Sequence, residues 1–453
     1  MKKNPVNIIL KQRYEIKVRK QKTAMELQNR LQDINTMEVL PALSKKLDSY
    51  FSSDEVFHVE KIEIDIGKIK DTISAEEWAH KILEKLDEQL KLFPVTGKGN
   101  ELLPGKEKYS AQRHLVELWI WFLRYGYLPA GCTYSSANEL YSELEKIDEE
   151  EKKILREFIF QQSDFNIIRR LATNTVFGGK DFYLQLMLPH LTKDELDWFR
   201  QETETFFRVK ILQDTPQELL AGLQVLWERI FQYIISLKDN ALVSVRQISR
   251  QVIYESMENT MEVQNESERS SKPGKPRENE SEFSAPEDEI FISNAGLCLL
   301  APYLSAFFKE IGLTAGNVFI DKWKQQHAVY LLHWIATKDT DPTEDLLLFP
   351  KLLCGWPLLM PCINTININE KEKYDSEELL SSVIQNWSVL KNTSPDGLRE
   401  SFLQRPGKLV EKEQQFLVKP DQQSIDLLLE YIPWTFRTIL LPWMKKPLIV
   451  EWY

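Results

Sequence analysis

Ile290 to Leu313 reads IFISNAGLCLLAPYLSAFFKEIGL and is the most apolar run of the chain, set directly after its most polar segment. Ile290-Phe291-Ile292 reads as a short strand, Asn294-Ala295-Gly296 as a turn, and Leu297 to Ile311 as a helix. Leu297, Leu300, Leu304, Phe307, Phe308 and Ile311 recur at helical spacing, while Leu299, Ala301 and Tyr303 fill the other faces. A helix that is apolar nearly all round is buried on every side. Gly312 stands where a left-handed C-terminal cap belongs, a backbone that glycine takes without a Cβ penalty. Pro302, with no N–H to give, either kinks this helix or starts its regular part. Asn294 to Lys309 is too short to span a bilayer, which takes about 20 apolar residues. The expectation is the central helix of a C-terminal domain over residues 290–453.

Working outward, 453 residues at 43% hydrophobic and 11% aromatic suffice for two or three cores. A formal net charge of −11 argues against sequence-independent binding to nucleic acid, which needs clustered Lys and Arg. One local exception is the crowd Lys2, Lys3, Lys11, Arg13, Lys17, Arg19, Lys20 and Lys22, read as a solvated strand face and helix start, or as a docking surface for an acidic partner. Cys132, Cys298, Cys354 and Cys362 form no CxxC pair and have no zinc spacing; Cys298 and Cys354 lie in apolar runs as reduced core residues. Met1 to Lys22 lacks an apolar signal region and no stretch spans a membrane, which places the protein in a reducing cytoplasm.

The fold class expected is α+β, mainly α-helical, in four pieces. Residues 1–95 form a β-α-β-α unit. Asn7 to Val18 alternates as a half-buried strand, and Thr23 to Phe51 is a helix that Pro41 breaks or bends. Val56 to Ile66 is a second strand ended by Gly67, and Ser74 with Glu77 caps a helix burying Trp78, Ile82, Leu86 and Leu90. Pro94 to Lys108 is a linker. Residues 108–257 form a helical middle region: His114 to Tyr125, Asn138 to Phe160, Phe165 to Ala172, Asp181 to Leu188, Lys193 to Lys210 and Pro216 to Leu237. Trp119, Trp121, Trp198 and Trp227 read as core anchors rather than a cofactor box. Residues 258–289 are a polar, acidic linker that cannot bury enough apolar surface to order itself, or else a partner-binding linear motif.

The C-terminal piece continues with a helix from Trp323 to Thr337, a short one from Glu344 to Leu353 stopped by Gly355, and one from Ser376 to Leu390. Ser394-Pro395-Asp396-Gly397 launches Leu398 to Leu403 with an N-cap, a proline at the first position and an acidic first turn. Arg405-Pro406-Gly407 turns the chain into alternating segments around Phe416 to Val418. Ile425 to Ile432 either continues the sheet or forms a short helix, and Leu448 to Tyr453 is a last strand.

No phosphate-binding glycine loop, HExxH or GxSxG motif is present, so no catalytic, cofactor-binding or metal-binding residue is assigned. Glu63 and Asp65 read as a solvated strand face rather than an acid/base pair. His327 and His333, six residues apart, fall on different helix faces and do not share a metal. Arg399, Glu400 and Arg405 read as a structural ion network, or as a subunit contact.

Asn294-Ala-Gly-Leu-Cys-Leu-Leu-Ala-Pro-Tyr-Leu304 resembles the signature of the tape measure protein family of contractile injection systems, phage-tail-like particles that fire a tube through a contracting sheath. The resemblance continues in order through Gln326-His-Ala-Val-Tyr-Leu-Leu332, Lys351-Leu-Leu-Cys-Gly355, Asn386-Trp387, Thr393 to Gly407, Leu441-Pro-Trp-Met444 and Val450-Glu-Trp452. Leu27-Gln28, Leu40-Pro41, Ile62 to Gly67 and Phe122 to Pro129 also match, although Ala130-Gly131 stand where paired tryptophans are expected; residues 135–285 carry little of it. The resemblance implies a non-enzymatic assembly role without cofactors, setting or templating inner-tube length from the baseplate. Its implied partners are tube, spike or baseplate, and cap proteins, with self-association, and neither nucleic acid nor membrane insertion. It implies a bacterial cytoplasmic protein, incorporated in the assembled particle. The other readings are a folded baseplate or tube-initiation adaptor or assembly chaperone, and a cargo protein. A fully helical chain of this length would reach about 680 Å at ~1.5 Å per residue, but the turns and buried aromatics make a far shorter object.

Overall fold

A computed structural model describes residues 34–50, 55–59, 62–67, 74–90, 106–129, 132–174, 179–211, 216–237, 244–254, 289–362 and 367–452. The expected strand Asn7–Val18, the basic crowd at 2–22 and residues 258–288 lie outside them. The chain forms two compact units, Met1–Glu117 and Leu118–Tyr453.

In the first unit the helix expected over Thr23–Phe51 is described from residue 34. It opens as a π turn, Asn35–Val39, and continues as α1, Leu40–Tyr50. Pro41 does not break it: Leu40 N–H already reaches back to Asn35 O, and the wide turn absorbs the N–H that proline lacks. Ile34, Val39 and Leu43 pack on Trp78, Ile82 and Leu86 of α2, Ala75–Leu90, and Lys46 meets Asp87 at 2.6 Å. Ser74 Oγ accepts from Glu77 N–H at 3.1 Å, as the capping pattern requires.

The strand expected over Val56–Ile66 is shorter. β1 is Glu55–Val59, and residues 62–67 form no regular structure. Asp65 Oδ1 takes the Gly67 N–H at 2.8 Å and Gly67 sits at φ +67, so the chain turns where a ladder would need that donor. The alternation still sorts the side chains: Ile64 and Ile66 lean on the Trp78 cluster, and Glu63 and Asp65 are exposed. The partner of β1 is β2, Lys106–Ser110, antiparallel with Glu55 opposite Ser110 and Val59 opposite Lys106. This corrects the far end of the Pro94–Lys108 linker and carries the first unit past residue 95. Lys-Glu-Lys-Tyr-Ser has no apolar alternation; cross-strand pairing, not composition, makes it a strand. It leads directly into α3, Ala111–Tyr125.

The second unit begins within α3 and continues as α4 (Ala137–Leu144), α5 (Glu149–Phe160), α6 (Phe165–Asn174), α7 (Gly179–Met187), α8 (Lys193–Ile211), α9 (Pro216–Ser236) and α10 (Val245–Ile248). The single helix expected over Asn138–Phe160 is two, because Asp148 caps α5 by taking Glu151 N–H at 3.1 Å and Glu149, Glu150 and Glu151 follow in its first turn. Trp119 is buried and donates to Tyr183 Oη at 2.9 Å, and Trp227 packs between Phe199 and Phe231. Trp121 is partly buried against Tyr125 and Tyr127, and Trp198 receives the Arg246 guanidinium.

The opening stretch supplies β3, Ile290–Ile292, then a 3-10 helix, Ala295–Leu300, then α11, Ala301–Glu310. The one helix expected from Leu297 is thus two conformations joined at Pro302, which starts the regular part. Every residue from Ala295 to Ala301 is buried, whereas α11 exposes Pro302, Ala306, Lys309 and Glu310. A hairpin, β4 (Thr314–Ala315) with β5 (Val318–Phe319), leads to α12, Lys322–Thr337, capped by Asp321. All residues from Gln326 to Ala336 are buried, so α12, and not α11, is the enclosed central helix. There follow α13 (Leu348–Leu353), α14 (Glu370–Asn386) and α15 (Pro395–Leu398). An Asn369–Glu372 capping box starts α14 ahead of the expected Ser376.

A five-stranded sheet in the order β3-β6-β7-β9-β8 closes the unit, with β6 Gly407–Glu411, β7 Phe416–Pro420, β8 Thr438–Ile439 and β9 Leu448–Val450. Only β7 and β9 run parallel. Ser424–Tyr431 is a 3-10 helix, which decides between the two readings of Ile425–Ile432.

Candidate functional site

The most heavily built cluster of charge starts on α6, where Ile167, Ile168 and Leu171 are buried and Arg170 lies among them, fully enclosed. Such a cation is tolerated only when paired and hydrogen-bonded. Its Nη1 donates to Leu123 O at 2.9 Å and Arg124 O at 2.8 Å, at the C-terminal end of α3, and its Nη2 donates to Leu359 O. Nε and Nη2 meet the two Glu344 carboxylate oxygens at 3.1 and 3.2 Å. Lys351, equally enclosed, reaches Glu344 Oε1 at 2.7 Å. Burial by itself would raise the Glu344 carboxyl, but Arg170 and Lys351 outweigh it and hold the group below its ordinary range. The helix corner at Leu123-Arg-Tyr-Gly-Tyr explains itself here. Gly126 has φ +76, and a Cβ on it would stand 2.5 Å from Glu344 Oε1. The clamp fastens α3 and α6 to the 3-10 helix Glu344–Leu347 and to α13.

Arg399 and Arg405 form two further inward-facing networks. Arg399 pairs with Glu377 at 2.7 Å and Asp396 at 2.7 Å, donates to Ile335 O at 2.8 Å and lies over the Trp334 ring. Arg405 pairs with Asp426 at 2.9 Å and donates to Asp421 O and Ser401 O. Trp452 Nε1 donates to the same Asp426 carboxylate at 3.0 Å. Glu400 belongs to neither network and is exposed.

Tryptophans and glycines of the C-terminal segment close gaps in the backbone. Trp387, Trp434 and Trp443 donate their indole N–H groups to Leu428 O at 3.2 Å, Leu299 O at 3.1 Å and Leu353 O at 2.8 Å. A Cβ on Gly296 would stand 1.8 Å from Phe402 O, and one on Gly355 would stand 2.5 Å from Trp443 O. These glycines let two backbones touch.

The histidines of the C-terminal segment stand apart from these clusters. His327 Nε2 sits 2.9 Å from Glu372, whereas His333 Nε2 is 3.6 Å from Asp339, so the two histidines address separate carboxylates. Among the described residues no group of three His, Cys, Asp or Glu side chains could hold a metal ion. Burial pushes the Cys298 and Cys354 thiols up, and that of Cys362 up to about 12, which leaves little nucleophilic thiolate. Among the described residues no helix is long and apolar enough to cross a membrane.

The sequence carried one overlooked signal: a cation inside an apolar run. Arg170, next to Arg169, stands between Ile167-Ile168 and Leu171-Ala172, and Lys351 sits within Leu-Leu-Phe-Pro-Lys-Leu-Leu. Lys and Arg are almost never fully buried unless paired, so each announces a partner. The carboxylate that serves both was not assignable from spacing, because Glu344 lies far along the chain from Arg170.

What these residues define is a scaffold: buried charges and indoles hold one backbone against another. Over residues 6–452 the chain matches the family described as contractile injection system tape measure protein, and it belongs to that family. The family's role is structural assembly in phage-tail-like particles. No curated protein and no solved structure matches the chain.

Proposed function

We propose that the protein helps set inner-tube length from the baseplate of a contractile injection particle, and that it does so as a folded body rather than as an extended rod. The family supports the first half. The observation supporting the second is the Arg170 clamp, which ties the helical middle into the C-terminal core through buried charges and three backbone carbonyls. Pulling residues 135–254 out into a ruler would strip Arg170 from Glu344, at a cost of about 3–5 kcal/mol for a broken buried pair.

Tube, spike or baseplate, and cap proteins are the partners this reading names, and the assembled particle is its location. The experiment lengthens or shortens the helical segment between residues 135 and 285 and measures particles by negative-stain microscopy. Length changing in proportion supports a literal ruler. Unchanged length in intact particles removes the ruler and leaves a baseplate or tube-initiation adaptor. Full particle yield without the protein would remove every assembly role and favour cargo.

A further inference from the structure

Two consecutive arginines on α6 are tied to two different parts of the second unit. Successive residues of a helix stand about 100° apart around its axis, so Arg169 and Arg170 leave α6 in different directions. Arg170 belongs to the clamp on Glu344. Arg169 turns to α9, where its Nε donates to Glu228 Oε1 at 2.9 Å, and its guanidinium lies over the Phe165 ring at 4.3 Å. Glu228 and Gln224, one turn apart on α9, and Thr173 on α6 are all buried. Gln224 Nε2 donates to Glu228 Oε1 at 3.0 Å and to Thr173 Oγ1 at 3.3 Å, which makes one polar cluster across the contact between α6 and α9.

Around this cluster α9 is apolar on most sides. Leu226, Trp227, Ile230, Phe231, Ile234 and Ile235 are buried, and Val225 is apolar although it is exposed. Apolar packing is non-directional, so it does little to decide which face of α9 meets α6. The charges decide it. Turning α9 forward by one residue would bring Val225 and Arg229 to the places of Gln224 and Glu228, and set Arg229 against Arg169. Turning it back by one would bring Trp227 to the place of Glu228. Of the three settings only the observed one gives Arg169 a carboxylate from this turn of α9, and separating such a pair is strongly destabilising.

The two arginines also ride on one rigid helix. A rotation of α6 by about 20° would carry a side-chain tip at a radius of about 5–6 Å through about 2 Å. A hydrogen bond does not survive that displacement. Arg170 has no slack to absorb it, since a Cβ placed on Gly126 would stand 2.7 Å from its Nη2. We propose that α6 is an interlock: Arg169 accepts the Glu228 face of α9, and that setting turns α6 so that Arg170 closes on Glu344. The interlock belongs to the fold itself and holds whichever assembly role the protein plays.

The test is amide hydrogen exchange read by mass spectrometry on the full chain, with Glu228→Arg, Arg169→Glu and the two combined. Exchange is followed over α9 and over residues 344–353, the clamp's far side. Each single reversal sets like charges against each other and should raise exchange in both regions by about tenfold or more. The combined reversal restores the pair and should bring both regions back to within about twofold of wild type. Ile234→Ala, at a buried site on α9 outside the polar cluster, is the control. It should raise exchange in α9 and leave residues 344–353 unchanged.

Single reversals that raise exchange in α9 alone overturn the interlock, because the clamp then closes whatever face α9 presents. A combined variant no closer to wild type than the singles overturns it too, because the charge pair does not then select the face. Faster exchange at residues 344–353 in Ile234→Ala overturns it as well, since any loosening of α9 would then suffice. Where circular dichroism shows that a reversal abolishes the fold, Glu228→Gln takes its place and keeps the side-chain shape. Its expected effect is a rise of about threefold in both regions, and a rise confined to α9 overturns the interlock.

Discussion

Gly296 lies in the 3-10 helix and Gly316 in the hairpin turn, and the structure asks very different things of them. Gly296→Ala would drive a Cβ into Phe402 O, a backbone atom that cannot step aside, whereas Gly316, at φ +66, has nothing within 4 Å of the same position. The expected cost is about 3 kcal/mol or more for the first and about 1 kcal/mol for the second, by urea denaturation of the full chain. The motif around Gly296 was legible as a turn in the sequence; that its glycine was needed for contact with residue 402 was not, because the other backbone arrives from more than a hundred residues away. Glu344 gives a second residue-scale test. A carboxyl held below its unfolded value stabilises the fold above that value and gives the contribution up as the pH falls through the folded one. For Glu344 the loss sets in below the ordinary 4.5. Asp345, raised by burial, works in the opposite sense: its contribution is present at low pH and lost as pH rises. Glu344→Gln removes the first effect and keeps the second. Its melting temperature should be lower at neutral pH, where Arg170 and Lys351 lose their counter-charge, and should fall less steeply than wild type below 4.5. Parallel slopes would show that the clamp does not carry the acid sensitivity.

At the scale of elements, helices with caps and strong apolar faces were the most legible. The helices at Phe165, Lys193 and Pro216 start where the sequence placed them. Errors gathered where structure depends on pairing across the chain. Lys106–Ser110 is a strand only because Glu55–Val59 lies beside it, and the β4–β5 hairpin has too few residues for a period to show. The final strand was recognised from its composition, but its place in the sheet was not. Val450 is buried in β9, and its N–H donates to Arg437 O at 2.9 Å. Val450→Pro removes that donor from an interior strand, where proline is essentially never found. A loss of about 3 kcal/mol or more is expected, and a variant that melts like wild type would mean the sheet tolerates the break.

At the scale of the molecule, the expected division of residues 108–453 into a helical middle, a polar linker over 258–289 and a C-terminal domain remains a proposal about which pieces fold alone. What argues for interdependence within the second unit is specific. Tyr127 belongs to the same apolar cluster as the Ile290–Leu313 stretch, Ala137 N–H bonds Asp345 at 3.4 Å, and Arg170 is satisfied only by groups from other segments. A protease site introduced between residues 258 and 288 should therefore yield two fragments that co-elute on size exclusion and melt together after cleavage. Fragments that separate without denaturant would instead support independent domains. Composition made that polar segment look like a border between two bodies, since composition reports which residues can order themselves and not what the flanking segments grip.

The parallel pairing of β9 with β7 has a consequence for timing. β6 and β7 are joined by a short turn and can pair soon after synthesis, as can the apolar stretch that packs on them. The slot between β7 and β8 is filled only by Leu448–Val450, which comes after both of its neighbours in chain order. Until those residues arrive, β7 presents an open edge and Asp426 lacks the Trp452 indole that shares its carboxylate with Arg405. Non-local parallel pairing is slow to form, and an open edge invites pairing with other chains. During that interval the nascent chain is at its most prone to pair with other chains.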